Sequence, residues 1–570
     1  MWAASHHIRP WVRSYPAGVP ADVDVPDIPV TRLLDDTAAR RPRATALWFF
    51  GRRFTYRRLL QAVDRFAAAL HALGVRPGDR VALILPNCPQ QVIAFFGTLR
   101  LGAIAALHNP LCTEEEMRRQ LVDCGPRVAV VLDRSYATLR AVRRGARLDH
   151  VVVTSLAEQF PWHRRPALRL PLRTARRERD RVTAEVPPDA GVVRFAELMR
   201  RPARPVRQAE LDPARRPAVI QYTGGTEGRP KGVVLTHRNL IANACQRCAW
   251  DVESRYGAEV VLAVLPLFHS FGLMSCLIGP MMEAGAVVLL PRFDLAQTIR
   301  LLRRHRPTIF PGVPTLYREL MDAPGLTRKD LASVRVFLSG ASGMDERTIA
   351  RFREWGLTGL IQAYGLTEAS PAVSANPVGG GARNRTVGLP LPGTEVLVVD
   401  AEDPAVVLPP GRPGELMVRG PQVFAGYWNR PEETARVLSP DGWLRTGDIG
   451  VMDPDGWLTI IDRKRDLVKV NGFSVYPSEV EEVLRRHPAV LDCAVLGLPD
   501  ERSGEQVVAC VVEHPAYPFS ADELRRHCEK YLSRYKVPAR FLPCARLPRS
   551  PVGKVRRRVL REEFLRAGMR

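Results

Sequence analysis

The chain has 570 residues, of which 46% are hydrophobic and 25% charged, as is typical of a globular protein with two to four domains. Its formal charge of +23 comes from 83 basic and 60 acidic residues, but only seven of the basic residues are lysines. Neither a zinc-finger spacing nor an aromatic-studded basic stripe accompanies the arginines. We therefore expect no nucleic-acid partner.

Ten cysteines are scattered along the chain, and neither a secretory segment nor a run of 18 apolar residues is present. This pattern predicts a cytoplasmic protein with reduced thiols. Cys245 and Cys248 form a CxxC pair within a predicted helix, without a second pair nearby. We interpret them as part of a helix face rather than as a zinc site.

In chain order, the first elements are a helix with an apolar stripe from Leu59 to Leu73 and a strand from Val81 to Leu85. Apolar strands then alternate with helix patterns as far as Tyr364. This alternation predicts an α/β fold with a mostly parallel sheet that is covered on both faces. From about residue 388 to 461, short strands separated by turns predict a small β-barrel. Together these elements form a predicted N-terminal domain, residues 1–464.

Residues 465–570 predict a small, mobile α+β domain. Pro477 opens a helix, and strands follow from Leu491 to Leu496 and from Gln506 to Val512. The charged run from Asp462 to Asp466 is the expected hinge, and it contains Arg465.

A segment rich in proline and arginine, about residues 155–213, interrupts the α/β alternation. The simpler interpretation is a solvated insertion. The alternative is peripheral contact with the inner face of the membrane through residues 160–181, in which arginines meet anionic head groups. The side chains expected to enter the lipid interface are Phe160, Trp162, Leu168 and Leu170.

The stretch from Tyr222 to Gly232 reads YTGGTEGRPKG. It follows a predicted strand that begins at Ala218 and precedes a helix pattern that begins near Thr236. Its four glycines allow a close backbone approach to a ligand, and its threonines and Lys231 can bind phosphate oxygens. The spacing differs from that of a Walker loop. We interpret the stretch as a triphosphate site of another kind, with a surface turn as the alternative.

Two short motifs contain further residues suited to nucleotide chemistry. In QAYGLTEAS, Tyr364 offers a nucleobase an aromatic face and Glu368 offers Mg²⁺ hard oxygens. In the TGD motif, Asp448 can accept hydrogen bonds from ribose hydroxyls. Taken alone, each motif is also compatible with an ordinary turn.

Two charged segments lie in or beside the predicted C-terminal domain. The segment from Ile460 to Phe473 is either an interdomain linker or part of a site. Lys554 lies in a basic loop, PRSPVGKVRR, where it could neutralise charge as a carboxylate approaches a phosphate. A basic tail is the alternative for this loop.

In chain order these segments resemble one family, the adenylate-forming acyl-CoA synthetases, which include luciferases and the adenylation domains of peptide synthetases. The resemblance covers essentially the whole chain and includes NPLCTEEEM, PLFHSFG, GELMVRGPQVFAGYW and SGEQVVACVV. The motifs QYTGGTEGRPKG, YGLTEASPAVSANP and NGFSVYPSEVE are most similar to the bacterial long- and medium-chain fatty-acid branch.

The resemblance implies an ATP-dependent fatty acid:CoA ligase that uses Mg²⁺. A carboxylate first attacks the α-phosphate of ATP, which gives an acyl-adenylate and pyrophosphate. The C-terminal domain then rotates, and the thiol of coenzyme A attacks the acyl carbon. The implied partners are fatty acid, ATP and coenzyme A, and a homodimer is left open beside the monomer.

The resemblance also implies roles for individual residues. The catalytic residues are Lys554, Glu368, His269, Thr367 and Lys231. The residues that bind nucleotide or coenzyme are Thr223, Gly224, Gly225, Thr226, Gly228, Lys231, Gly340, Ala341, Tyr364, Gly365, Thr367, Asp448, Arg463 and Gly472. Glu368 and Thr226 are expected to hold the metal, and Gly472 is expected beside the pantetheine tunnel.

Three residues depart from the family pattern. Glu227 stands where the family usually has threonine, Arg465 replaces the usual lysine or aspartate of the hinge, and Leu273 stands where some long-chain members have a gating tryptophan. Three alternatives to the ligase stay open. They are a fatty acyl-AMP ligase that loads a carrier protein, an aryl or cinnamoyl acid:CoA ligase, and a degenerate homologue that binds acyl groups or nucleotides without catalysis.

Overall fold

The computed structural model describes residues 9–146, 148–170, 173–201, 206–223, 230–470, 473–500, 503–550 and 553–567. These residues fold as a mixed α/β protein with a large N-terminal domain and a small C-terminal domain. Most strands of the large domain belong to two parallel sheets with antiparallel edges. The expectation of α/β architecture is confirmed.

The first part of the large domain ends at Thr223. Its strands are β1 (Thr45–Phe49), β2 (Arg52–Thr55), β3 (Arg80–Ile84), β4 (Ile104–Leu107), β5 (Val128–Leu132), β6 (His150–Thr154), β7 (Val192–Arg194) and β8 (Pro217–Thr223). Its helices are α1 (Thr31–Arg40), α2 (Tyr56–Ala72), α3 (Pro89–Arg100), α4 (Glu114–Cys124), α5 (Tyr136–Val142), α6 (Arg173–Val182) and α7 (Phe195–Leu198).

The second part begins at Lys231. Its strands are β9 (Lys231–Thr236), β10 (Val260–Ala263), β11 (Ala286–Leu289), β12 (Ile309–Gly312), β13 (Val336–Ser339), β14 (Leu360–Gly365), β15 (Ala372–Ala375), β16 (Leu389–Pro390), β17 (Glu395–Val399), β18 (Gly414–Arg419), β19 (Gly426–Tyr427), β20 (Leu444–Met452) and β21 (Leu458–Arg463). Its helices are α8 (His237–Trp250), α9 (Ser270–Leu273), α10 (Gly279–Met282), α11 (Leu295–His305), α12 (Pro314–Met321), α13 (Arg328–Leu331), α14 (Glu346–Glu354) and α15 (Pro431–Val437), and a π-helical segment, Met274–Ile278, joins α9 to α10.

The two large sheets share one hydrophobic core. The eight-stranded sheet has the order β19-β9-β8-β4-β3-β5-β6-β7, and the nine-stranded sheet has the order β16-β15-β14-β13-β12-β10-β11-β1-β2. Every residue of α3 is buried. This helix therefore lies inside the core, and its buried residues include the polar Gln90 and Gln91.

The strands after residue 388 do not close into the small β-barrel that the sequence predicts. Within the described residues, β17, β18, β20 and β21 form an open, four-stranded antiparallel sheet. Short strands separated by turns are common to barrels, sandwiches and open sheets. The pairing of the edge strands, which sequence periodicity does not contain, decides between these forms.

The C-terminal elements form a sheet with hydrophobic clusters of its own. The strands are β22 (Val468–Val470), β23 (Phe473–Val475), β24 (Val490–Asp500), β25 (Gly504–Glu513) and β26 (Arg540–Pro543), and the helices are α16 (Pro477–Arg485), α17 (Ala521–Tyr531) and α18 (Arg557–Arg566). The helix and the two strands expected from the sequence are confirmed. A 3₁₀ turn, Lys464–Asp466, lies at the expected hinge.

Two further expectations from the sequence are wrong. The structure pairs Cys510 with Cys544 as a disulfide, whereas reduced thiols were expected throughout. Parallel pairing of β25 with β26 brings the two Cα atoms to 6.1 Å across a sequence separation of 34 residues, and sequence spacing alone does not give this register. Phe160 is not a lipid contact, because its ring is buried and lies 4.9 Å from that of Phe50, centroid to centroid.

The rest of the insertion has a mixed environment. Leu168 packs against the core, whereas Trp162 is 82% exposed and Leu170 is 48% exposed. Within the described parts of the chain, no helix is both long and apolar enough to cross a membrane.

Candidate active site

The glycine-rich stretch connects two antiparallel strands. Thr223 at the end of β8 is paired with Lys231 at the start of β9. The expected order of strand, loop and helix is therefore wrong, because a second strand precedes the helix. Thr236 caps α8 by accepting a hydrogen bond from the backbone N–H of Asn239, so the predicted start of the helix is confirmed. The hairpin fixes the two ends of the loop next to each other.

Part of the predicted phosphate site lies outside the described residues. This holds for Gly224, Gly225, Thr226, Glu227 and Gly228, and also for Gly472 near the C-terminal domain. The expectations for these six positions stay predictions.

Lys231 is held beside the loop by an ion pair and an aromatic ring. Its Nζ lies 2.5 Å from Oε2 of Glu433 on α15 and 5.1 Å from the ring centroid of Tyr427. The hydroxyl of Tyr427 donates to Oε1 of Glu368 at 2.9 Å. Tyr427 therefore links the loop lysine to the carboxylate that is expected to hold the metal.

The base of the hairpin is held by a second polar cluster. The hydroxyl of Tyr222 donates to Oδ2 of Asp123 at 2.8 Å, and Arg430 contacts Oδ1 of the same carboxylate at 3.2 Å. Arg430 also lies 3.5 Å from Glu433. Two acidic residues and one arginine thus connect α4, the hairpin and α15.

A polar cluster joins the end of β14 to the small sheet. The hydroxyl of Tyr364 donates to Oδ2 of Asp448 at 2.7 Å, and Nε of Arg463 lies 2.9 Å from Oδ1 of Asp448. Asp448 and Arg463 are directly opposite each other in the pairing of β20 with β21. The nearby Asp448 carboxylate raises the pKa of Arg463 above its ordinary value. The structure therefore brings together three residues that are distant in sequence.

Thr367 and His269 are connected through Ser270. The hydroxyl oxygens of Ser270 and Thr367 are 3.2 Å apart, and Nδ1 of His269 accepts a hydrogen bond from the backbone N–H of Phe271. Burial, together with the charge of Lys554, lowers the pKa of His269 to about 4. The imidazole is therefore neutral at pH 7.

Close packing explains the glycines at the ends of β13 and β14. A Cβ at Gly340 would lie 3.0 Å from the ring of Phe271, and one at Gly365 would collide with the carbonyl oxygen of Pro371. Ala341 has a φ of +74°, which is unusual for a residue other than glycine. The two glycines therefore allow neighbouring segments to pack closely at the carboxyl ends of β13 and β14.

The basic C-terminal loop enters this site. Lys554 lies close enough to Arg463, Asp448, Arg465 and Glu368 for their charges to affect its pKa. Burial is the largest effect, and the pKa of Lys554 is lowered to about 8. The next residues hold the loop to the large domain, because Arg556 lies 3.5 Å from Glu116.

One cavity of about 2760 Å³ gathers the predicted residues that the structure describes. They are Thr223, Lys231, His269, Gly340, Ala341, Tyr364, Gly365, Thr367, Glu368, Asp448, Arg463 and Lys554. Sequence reasoning gave no role to Tyr427, Glu433 or Ser270. Tyr427 is in a quoted family motif and Ser270 follows His269, so both could have been proposed, but no local signal distinguishes Glu433.

Comparison with known proteins agrees with this arrangement. Residues 34–428 match the AMP-binding enzyme family, and residues 479–554 match the AMP-binding enzyme C-terminal domain. The chain is 38% identical over 557 residues to a long-chain-fatty-acid–CoA ligase of Bacillus subtilis, covering 97% of this chain and 98% of the relative.

Solved structures share the same fold. ATP-bound MatB from Rhodopseudomonas palustris has a TM-score of 0.81 and 27% identity, with 94% of this chain and 99% of that chain covered. The anthranilate CoA ligase AuaEII in complex with anthranoyl-AMP has a TM-score of 0.83 and 27% identity, with 95% and 98% covered. With both family regions present and the residues expected at a nucleotide site around one cavity, this chain belongs to the AMP-binding enzyme family.

Proposed function

We propose that the protein is an ATP-dependent fatty acid:CoA ligase that forms an acyl-adenylate and then acyl-CoA, releasing pyrophosphate and AMP. The observation that carries the proposal is the position of Lys554, which lies in one cavity with Asp448, Glu368 and Lys231. A cation from the C-terminal loop is thus next to the residues expected to bind ATP. The 38% identity to a curated long-chain-fatty-acid–CoA ligase supports a fatty acid as substrate.

The first step joins two anions, so the site must supply positive charge. An oxygen of the fatty carboxylate attacks the α-phosphorus, and the bond from that phosphorus to the pyrophosphate oxygen breaks. Lys554 stabilises the charge that develops at the α-phosphate, and Lys231 binds the departing pyrophosphate. Thr367 donates a hydrogen bond to the α-phosphate. The pair of Asp448 and Arg463 binds the ribose, beside the ring of Tyr364, which packs on adenine.

The donor set fits Mg²⁺. Glu368 lines the cavity, and the hydrogen bond from Tyr427 goes to Oε1 of its carboxylate. Carboxylate oxygens are the hard ligands that Mg²⁺ takes together with substrate phosphates. Bound there, the ion would neutralise phosphate charge.

The second step needs access for the coenzyme A thiol. We propose that residues 465–570 rotate about a hinge at Arg465, which withdraws Lys554 and opens a route to the acyl carbon beside Gly472. The thiol sulfur then attacks that carbon, and AMP leaves with the electrons of the acyl–oxygen bond. His269 is neutral and precedes Ser270, whose hydroxyl contacts Thr367. His269 lies beside the acyl site and helps to shape the switch between the two domain arrangements.

A pyrophosphate-release screen over carboxylic acids tests the proposal. We expect release that depends on a fatty acid and Mg·ATP, and formation of acyl-CoA when coenzyme A is added. Exchange of ATP with pyrophosphate without acyl-CoA would favour the acyl-AMP ligase. A preference for aromatic acids would favour the aryl ligase, an alternative that the similarity to the anthranilate ligase supports. No acid-dependent release with any acid would indicate the non-catalytic homologue.

The pKa of Lys554 gives a pH-dependent prediction. Because this pKa is lowered to about 8 in the structure, the ammonium is present below pH 8 and is lost as the pH rises through that value. We expect kcat/KM for ATP to fall toward a slope of about tenfold per pH unit above this pKa. Arginine keeps its charge to much higher pH, so Lys554→Arg should move the fall upward. An unchanged pH profile in that variant would assign the fall to another group.

We propose a cytoplasmic protein that contacts the membrane peripherally through residues 160–181, with Trp162 and Leu170 as the apolar contacts. Both side chains are exposed, and arginines flank them. The double variant Trp162→Ala/Leu170→Ser should sediment less with anionic liposomes than the wild type. Leu111→Ala is the matched control, since Leu111 is 84% exposed elsewhere on the surface. Equal sedimentation of all three proteins would contradict the contact.

We propose that the protein is either a monomer or a homodimer in solution. Sedimentation velocity separates the 63.6 kDa monomer from a particle of twice that mass.

A further inference from the structure

The cavity has an apolar arm that leaves the nucleotide end along the face of the nine-stranded sheet. Val336 and Leu338 of β13 line it together with Gly340, the residue after the strand, and these alternate residues share one face. Ile309 of β12 is paired with Val336 and lies on the same face. Phe337, between the lining residues, instead packs on the opposite face against Phe352. The floor of the arm is therefore a set of aliphatic side chains.

One face of α8 covers the floor. Its lining residues are Asn243, Arg247 and Trp250, followed by the C-cap residue Asp251, a spacing that places them on the same side of a helix. A second cover comes from the segment around α9, where Phe271, Met274 and Ser275 line the cavity. The sheet, α8 and the segment around α9 thus line this arm of the cavity, which we call the slot.

Contacts of α8 fix the direction of the slot. At the nucleotide end, the side chain of Asn243 donates to the carbonyl of Ala372 and accepts from its backbone N–H. At the other end, Asp251 binds Arg335, the residue before β13, through two hydrogen bonds of 2.6 and 2.8 Å. The slot thus runs from Gly340 toward Arg335.

A cluster of charges lies at the far end, where Asp251 lines the cavity. Behind Asp251, Arg335 also lies 3.2 Å from Glu259. The carboxylates of Asp251 and Glu259 are each at least nine-tenths buried. An alkyl chain that extended past them would have to separate buried ion pairs, which is costly.

Two independent measures give the length of the slot. Four strand residues from Val336 to Gly340 rise by about 13 Å. Eight helical residues from Asn243 to Asp251 rise by about 12 Å. An extended alkyl chain advances by slightly more than an ångström per carbon, so this length holds roughly ten carbons beyond the carboxyl end.

We propose that the charged far end, where Arg335 pairs with Asp251 and Glu259, limits the substrate to medium-chain fatty acids of about ten to twelve carbons. This inference rests on the proposed fatty acid:CoA ligase activity and deepens it. A limit of this kind would give the chain a shorter preferred substrate than its relatives, which are named long-chain ligases.

The test is a profile of kcat/KM against chain length, from hexanoate to stearate, measured by pyrophosphate release with coenzyme A. We expect kcat/KM to rise to decanoate or dodecanoate and to fall at least about tenfold at palmitate. If the wild type converts palmitate as well as decanoate, the length limit is wrong and the ligase assignment stands. If no acid of any length is converted, the proposed function itself fails.

Two variants test the direction of the slot. Val336→Trp fills the far end and should move the optimum to octanoate, whereas Leu338→Trp fills the middle and should move it to hexanoate. Val406→Trp is the matched control, because Val406 is 47% exposed in the loop between β17 and β18 and its replacement should leave the profile unchanged. Melting temperatures confirm that each variant is folded. Identical optima for folded Leu338→Trp and wild type would overturn the slot, and so would a reversed order of the two variants.

Discussion

Replacing Lys554 by alanine should slow adenylation by roughly 10²–10³-fold, because a charge aimed at a developing anion contributes about 3–4 kcal/mol to a transition state. Lys554 is brought by the C-terminal loop to a cavity that already contains Asp448 and Glu368. Its pKa of about 8 reflects the cost of burying an ammonium, to which the nearby charge of Arg463 adds. Fatty-acid-dependent pyrophosphate release measures the effect.

The thioester step provides the internal comparison for this variant. When acyl-adenylate is supplied together with coenzyme A, Lys554→Ala should form acyl-CoA at close to the wild-type rate. Lys530→Ala is the matched control, because Lys530 is an exposed lysine at the end of α17. Equal loss of both half-reactions would show that the variant damages the fold or the binding of adenylate rather than the first step.

Replacing Asp448 by asparagine should reduce kcat/KM for ATP by roughly 10–10²-fold, since a hydrogen bond to a charged group contributes about 1.5–3 kcal/mol. Asparagine preserves the shape of the side chain but removes the negative charge that faces Arg463 at 2.9 Å. The ribose then loses a charged acceptor, and Arg463 loses its partner. Steady-state kinetics at saturating fatty acid measure the change.

The variant Tyr364→Phe separates the effect of the Asp448 charge from the effect of how the carboxylate is oriented. This variant removes the hydroxyl that donates to Asp448 but keeps the ring expected to contact adenine. We expect a loss of about fivefold, as for one neutral hydrogen bond of about 1 kcal/mol. If Asp448→Asn left the KM for ATP unchanged while its melting temperature fell, Asp448 would have a structural role only.

Much of the fold follows from local sequence patterns. The alternation of apolar strands and helices predicts the parallel sheets, because strands buried on both faces read as continuous apolar runs. Glycine, threonine and lysine in the stretch after Tyr222 indicate phosphate chemistry for the same local reason. The twelve described residues expected at the site all line one cavity.

Other features depend on contacts between distant segments. The ion pair of Lys231 with Glu433 joins residues about two hundred positions apart, and nothing beside Glu433 in sequence predicts it. The buried ring of Phe160 and the disulfide of Cys510 with Cys544 contradict expectations that composition alone suggested. In each case the outcome depends on which surfaces pack together.

The sequence by itself determined the class of fold, the order of the motifs and the residue types that act on phosphates, because these depend on periodicity and on side-chain chemistry. Only the tertiary structure decided that the glycine loop joins two strands, that Asp448 meets both Tyr364 and Arg463, and that Asp251 pairs with Arg335. Strand register and the docking of helices on sheets set these distances, and both are established only when the whole core packs.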